Sequence, residues 1–89
     1  MAYMFARATV EDYANFRETF DGKEEMRQVA GVVNSAVYQS VDVPNEVIIQ
    51  LEFSTADAAK AFSTSEGLRN AIQQAGVEGQ PRIVIANKT

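Results

Sequence analysis

Polar and apolar side chains alternate at the start of the chain, which predicts a first strand over Ala2–Ala8. The alternation places Tyr3, Phe5 and Arg7 on one face of this strand and Met4, with small alanines, on the other. A two-residue period of this kind is typical of a β-strand.

The period changes after this strand and predicts a helical segment that ends at Gly31, a residue suited to a left-handed C-terminal cap. Thr9 followed by Asp12 resembles a capping box. Apolar residues then recur every three or four positions, as expected for a helix with one buried face, beginning with Val10, Tyr13, Phe16 and Phe20. Because Asp21-Gly22 weakens this pattern, we expect one helix with a kink near Gly22.

The middle of the chain reads as a hairpin. Val32–Ser40 is rich in valine and alternates, and Glu46–Phe53 alternates most clearly of all. The residues between them, Asp42–Asn45, contain the proline and asparagine typical of a turn. The sequence therefore predicts a second and a third strand joined by this turn.

The last third of the chain predicts two short helical pieces and a final strand. Ser54 with Asp57 forms another arrangement like a capping box, and Ser65 can cap a second piece that ends at Gly76. A loop, Val77–Pro81, then leads to a strand, Arg82–Ala86.

The resulting order, β-α-β-β-α-β, predicts a ferredoxin-like α+β sandwich with an antiparallel sheet, formed by one domain over residues 1–89. In such a fold the helices cover one sheet face only. We expect the covered face to carry Tyr3, Phe5, Val47, Ile49, Leu51 and Phe53. The other face would still carry Met4, Tyr38, Ile48, Ile83 and Ile85. A bare face that apolar predicts a homodimer through the sheet faces.

Composition narrows the possible chemistry. The chain has a net charge of −4 and no histidine, cysteine or tryptophan. The absence of histidine and cysteine excludes Ser-His-Asp triads, His-ligated haem, disulfides and the common zinc sites. An acidic chain with scattered basic residues disfavours a nucleic-acid partner. No apolar run approaches the roughly 20 residues that span a bilayer, so we expect a cytoplasmic protein with no membrane partner.

Several segments carry a family resemblance. They are Val10–Phe16, Phe20-Asp21, Asp42–Val47, Glu52-Phe53, Ala58–Phe62 and Ala75–Pro81. Together they resemble the antibiotic biosynthesis monooxygenase and cyclase-like proteins, a group of small dimeric α/β barrel proteins. The resemblance implies a sheet-to-sheet homodimer and a ligand cavity in each subunit between sheet and helices.

The resemblance also bears on the reaction. The haem-degrading branch of the group uses a histidine and a tryptophan, and both residue types are absent here. The quinone-forming oxygenases of the group are cofactor-independent and hold a phenolic substrate as its anion through polar side chains. The resemblance therefore implies no cofactor.

Three residues are candidates for catalysis. Among Arg7, Arg17, Arg27 and Arg82, we favour Arg7 for stabilising a developing oxyanion, because it shares a strand face with two aromatic residues. Glu52 lies mid-strand and could act as a general base. The hydroxyl of Tyr13 needs a partner if it is buried.

A further set could bind the ligand, since aromatic walls with a few polar groups are typical of ligand pockets. The set comprises Tyr3, Phe5, Phe16, Phe20, Asn34, Tyr38 and Gln50. Core packing explains the aromatic members equally well, and hydrogen bonding across a dimer interface explains the polar ones.

Two functions remain open at this point. The first is a homodimer that binds a small aromatic or polyketide-like ligand and acts as a cofactor-independent monooxygenase or a cyclase-like enzyme. The alternative is a non-catalytic dimeric structural or regulatory module, which predicts a filled interior.

Overall fold

The computed structural model describes all residues, 1–89, and contains four strands and four helices. In chain order they are β1 (Ala2–Val10), α1 (Tyr13–Gly22), α2 (Glu24–Val29), β2 (Val32–Gln39), β3 (Glu46–Phe53), α3 (Ala56–Ser63), α4 (Glu66–Gln74) and β4 (Val77–Asn87). The predicted β-α-β-β-α-β order is confirmed, with a pair of helices in each helical region. None of the four helices could cross a membrane, since each is too short and too polar.

The strands form a single antiparallel sheet in the order β2-β3-β1-β4, which is a ferredoxin-like arrangement. Met4, near the start of β1, lies opposite Leu51 on one side and Ile85 on the other. Paired residues of this kind point to the same sheet face. The two faces of the sheet can therefore be read directly from the register.

The register corrects the predicted faces of the two neighbouring strands β1 and β4. Met4 is buried beneath the helices, and Ile83 and Ile85 pack against the same core. Tyr3 and Phe5 lie instead on the uncovered face, so their predicted placement was wrong.

Charged residues on β1 and β4 explain why the helices cover one face of these strands and not the other. Arg7 continues the row of aromatic residues on β1, and its partner across the strands is Arg82. Turning that row toward the helices would bury two like charges opposite each other, which is costly. The row on the other face has only small residues at Ala6 and Ala8, and it allows the helices to approach closely.

β4 is longer than predicted. The segment Val77–Pro81 was expected to be a loop, but β4 begins at Val77, which pairs with Val10. The β1–β4 register shifts between Arg7 and Thr9, and Gly79 in the same stretch of β4 has a φ of 65°. Pairing with β1 thus overrides the turn-like composition of the segment.

Polar side chains cap the helices close to the predicted positions. Asp12 caps α1 by accepting a hydrogen bond from the backbone N–H of Ala14, and Ser65 caps α4 as predicted. Thr9 lies inside β1 rather than at a helix start, and Thr55, not Ser54, caps α3.

The first helical region is broken rather than kinked. α1 ends at Gly22 and α2 begins at Glu24, so that Lys23 alone separates them. Gly31 follows α2 with a φ of 101°, which confirms its predicted role after the last turn. The break leaves α2 as a short, separate helix beside the end of α1.

Two groups of buried residues form the core between helices and sheet. The larger includes Met4, Leu51, Phe53 and Phe62, and the second includes Phe16 with Val10, Val47 and Ala75. Phe20 and Ile49 pack against both groups.

Candidate functional site

A cavity of about 70 Å³ lies between the sheet and the helices. Its floor on the sheet includes Met4, Leu51 and Ile83, and aromatic walls come from Phe20 and Phe62. Of its 19 lining residues, 15 are hydrophobic. The cavity therefore has the apolar lining typical of a site for a small organic ligand.

The local structure explains why the core does not fill this space. Ala6 and Ala8 supply the β1 part of the lining, and Ala71 and Ala75 supply part of the α4 wall. Methyl side chains on both layers leave a gap that the larger neighbouring side chains do not close.

Three of the lining residues have polar side chains, namely Thr19, Lys23 and Arg27. Thr19 lies on α1 and donates a weak hydrogen bond to the carbonyl oxygen of Gln74 at 3.4 Å. Lys23 lies between α1 and α2, and Arg27 lies on α2. Both charged groups at the cavity are therefore positive, and they come from the break between the first two helices.

Arg27 is the one buried charged residue of the chain, with 6% of its surface exposed. Its Nη1 donates a hydrogen bond to the carbonyl oxygen of Phe20 at 2.6 Å, and its guanidinium carbon lies 3.7 Å from the centre of the Phe20 ring. Burial lowers the pKa of Arg27, while the charges of Glu24 and Asp21 act in the opposite direction. A cation–π contact and a carbonyl thus hold this buried charge in place.

The predicted site residues fall into two groups, of which only the first lies near the cavity. Phe16 and Phe20 line it. Tyr13 is half-buried, and its ring centre lies 6.1 Å from that of Phe16, but it does not reach the cavity.

The second group lies on the uncovered face of the sheet, and the structure does not bring it together with the cavity. It comprises Tyr3, Phe5, Arg7, Asn34, Tyr38, Gln50 and Glu52. The catalytic and ligand-binding roles assigned to these residues, and to Tyr13, stay predictions.

Two side-chain contacts involve the polar members on this face. Arg7 Nη2 lies 2.9 Å from Glu46 Oε2, and the hydroxyl of Tyr38 donates to Gln50 Oε1 at 3.2 Å. Glu52 lies beside a pocket of only about 30 Å³. The open face therefore holds two separate polar contacts, Arg7 with Glu46 and Tyr38 with Gln50, among exposed aromatic and aliphatic side chains.

Sequence reasoning missed Lys23 and ranked Arg27 below Arg7. The backbone N–H of Arg27 bonds to the carbonyl oxygen of Lys23 at 3.1 Å, so the two residues are one helical turn apart. Residues at this spacing share a helix face. The signal was available: both basic residues follow Phe20 on the stretch that carries the apolar stripe.

Comparison with known proteins identifies relatives of the chain. A family model described as antibiotic biosynthesis monooxygenase matches residues 1–74. Among curated proteins, none matches the chain.

Solved structures share the fold over nearly the whole length. A candidate antibiotic biosynthesis monooxygenase from Bordetella bronchiseptica is 16% identical, with a TM-score of 0.85 over 99% of this chain and 96% of that one. SnoaB, a cofactor-independent oxygenase from Streptomyces nogalater, is 14% identical, with a TM-score of 0.80 over 99% and 92%. A conserved protein from Methanosarcina mazei Go1 is 16% identical, with a TM-score of 0.77 over 99% and 92%. At these identities the likeness shows the fold alone.

Proposed function

Because the chain belongs to the antibiotic biosynthesis monooxygenase family, we propose that it is a cofactor-independent monooxygenase acting on a small aromatic or polyketide-like compound. The observation that carries the proposal is the apolar cavity between sheet and helices. The fold shared with a cofactor-independent oxygenase is consistent with it.

The proposed reaction converts a phenol into a quinone. The phenol loses its hydroxyl proton and the hydrogen of the reacting ring carbon. One atom of O₂ forms the new carbonyl group, and the other leaves as water together with those two hydrogens. The substrate itself supplies the electrons that reduce O₂, so the balance needs no further reductant.

The cavity suits this chemistry in one respect and constrains it in another. Its apolar walls would hold an aromatic ring away from bulk water, where charge interactions become stronger. No carboxylate lines it, so no acidic side chain is placed there to accept the hydroxyl proton. A phenol that is already ionised when it enters the cavity needs no such proton acceptor.

We also propose that two copies of the chain associate through their uncovered sheet faces. Tyr38 and Ile48, with 52% and 40% of their surfaces exposed, lie on that face with Phe5 and Val84. An exposed apolar and aromatic surface of this kind is typical of an interface. In such a dimer, the hydrogen bond between Tyr38 and Gln50 would lie at the contact.

Oxygen uptake with a panel of one-ring, electron-rich phenols tests the enzymatic proposal. Ala71→Leu extends a side chain into the cavity. It should lower the rate at least tenfold, because the added carbon atoms occupy the space that the substrate ring needs. Ala14→Leu makes the same change on an exposed part of α1 and should leave the rate unchanged.

The proposal fails if the wild-type protein consumes no oxygen above the buffer rate with any member of the panel. It also fails if Ala71→Leu and Ala14→Leu are equally active. A wild-type protein that is dimeric but inert would favour the non-catalytic module.

A further inference from the structure

The charged residues that line the cavity are both cations, in a chain whose net charge is −4. Lys23 and Arg27 both line the cavity, and both donate hydrogen bonds to the carbonyl oxygen of Phe20, Lys23 from its backbone N–H and Arg27 from Nη1. Acidic residues outnumber basic ones by twelve to eight over the whole chain, yet none lines this space. The electrostatic character of the cavity is thus opposite to that of the protein.

Neither cation has a carboxylate partner. The structure contains two ion pairs, Arg7 with Glu46 and Arg17 with Asp21, and both are at least partly exposed. Buried charges in proteins are normally paired, because an unpaired charge away from water is costly. Arg27 departs from that rule.

Arg27 also has hydrogen-bonding capacity to spare. A guanidinium has five N–H donors, and here only Nη1 has an acceptor, the carbonyl oxygen of Phe20. No buried side-chain nitrogen or oxygen is left without a partner, so the other nitrogens of Arg27 still reach solvent. Arg27 also borders a second, polar pocket of about 130 Å³ between α2 and β2.

We propose that Lys23 and Arg27 bind an ionised oxygen of the ligand, a phenolate or an aromatic carboxylate, while its ring occupies the apolar cavity. The inference rests on the proposed function, because it concerns the same cavity, but it concerns binding and not turnover. Arg27 is suited to it because its guanidinium carbon lies over the Phe20 ring and only Nη1 is engaged by a protein acceptor, which leaves the other donors for an anion.

The position of Arg27 also provides space for the ligand. Its side chain borders both the apolar cavity of about 70 Å³ and the polar pocket of about 130 Å³. A cavity of roughly 150 Å³ accommodates benzene. A one-ring ligand therefore needs part of both spaces, and Arg27 is a lining residue of each.

Titration calorimetry with benzoate and its neutral isostere benzamide tests the inference on the whole protein. Wild-type protein should bind benzoate about tenfold more tightly than benzamide, since one charge-assisted hydrogen bond contributes about that factor to the affinity. Arg27→Met should reduce this preference to about twofold or less, and Lys23→Met should reduce it by a smaller factor because a half-buried amine is partly solvated.

Two further variants separate a binding role from a structural one. Arg17→Met removes an arginine that also lies over the Phe20 ring, at 5.5 Å, but that is already paired with Asp21. It should leave the preference for benzoate intact. Glu24→Gln removes the carboxylate that borders the polar pocket and should strengthen benzoate binding if the anion lies beside Arg27, whereas an anion bound elsewhere on the protein would show no such response.

A second pair of ligands identifies the source of the ionised oxygen. At a pH where 4-nitrophenol is ionised, tighter binding than that of its methyl ether 4-nitroanisole would assign a phenolate. A preference for benzoate over benzamide without this difference would assign a carboxylate.

The outcomes distinguish this inference from the proposed function. Equal binding of the charged and neutral members of both pairs would overturn the anion site while leaving the cavity as a ligand site. A preference that survives in Arg27→Met, with the variant folded by circular dichroism, would overturn the role of Arg27. Anion-selective binding without oxygen uptake would support the inference and refute the monooxygenase.

Discussion

The two faces of the same sheet differ more than any other two regions of the molecule. Beneath the helices, Phe53 and Val47 are fully buried, and Phe53 packs 5.8 Å from the ring of Phe62. On the other face, Phe5 of β1 and Ile48 of β3 are more than one third exposed. Both faces are rich in apolar residues, but only one is covered within the chain.

This difference shows that hydrophobicity alone does not decide which face the helices cover. The covered face combines large residues on β3 with small ones on β1, whereas the open face mixes aromatic residues with arginines and amides. A mixed surface of this kind tolerates water in the free chain and still offers a contact to a second copy. Substitutions that alter one face at a time test this difference.

The largest effect is expected from Phe53→Ala on the covered face. Removing a fully buried phenylalanine ring should lower the free energy of unfolding by about 3–5 kcal/mol. Urea denaturation followed by circular dichroism measures this directly.

Phe5→Ala is the matched control on the open face, where 37% of the residue is exposed. At low protein concentration it should cost about 1–2 kcal/mol, because more than a third of the residue is already in water and only the rest of its area is buried in the monomer. Equal losses for the two substitutions would show that the faces are equally buried, contrary to the register.

The next effect concerns association. Ile48→Lys should convert the proposed homodimer to a monomer without unfolding it, because the charge would lie at the centre of the open face. Sedimentation equilibrium at micromolar concentration measures the change. Val29→Lys, on the exposed end of α2, should leave the mass unchanged.

The same substitution at Ile83 should behave differently. Ile83 packs under the helices, so Ile83→Lys is expected to unfold the chain rather than separate two copies. Wild-type protein that sediments as a monomer at these concentrations would refute the dimer.

The smallest effect is expected from Glu46→Gln, which removes the partner of Arg7 on the open face. The Arg7 side chain is 62% exposed, and exposed ion pairs contribute about 0–1 kcal/mol. The free energy of unfolding of the monomer should fall by no more than about 0.5 kcal/mol, and raising the salt concentration should remove the difference. A loss above 2 kcal/mol would mean that the open face contributes to the core of the single chain.

Much of the fold could be predicted because periodicity and capping are local. β3 was predicted with its observed bounds, and Gly31 and Ser65 mark helix ends as expected. The faces of β1 could not be assigned in this way, because alternation separates two rows of side chains without saying which row the helices cover. Arg7, in the same row as Phe5, was the clue to the open side.

The site was less predictable than the fold. Phe16 and Phe20 lie at the cavity because the apolar stripe of their helix faces the core, and their role in ligand binding stays a prediction. Arg27 was ranked below Arg7, because its burial depends on the break at Lys23 that turns α2 against the end of α1. The spacing of Lys23 and Arg27 after Phe20 was visible in the sequence, but the burial that makes them cavity residues depends on tertiary packing.

The irregular stretch of β4 has a consequence for solubility. β4 is an edge strand, and unbroken edges can recruit strands from other molecules and seed aggregates. Gly79, with its positive φ, and Pro81, which has no N–H, interrupt this edge beside the register shift. The glycine and proline that made this segment resemble a loop in the sequence also make the edge a poor template for fibril growth.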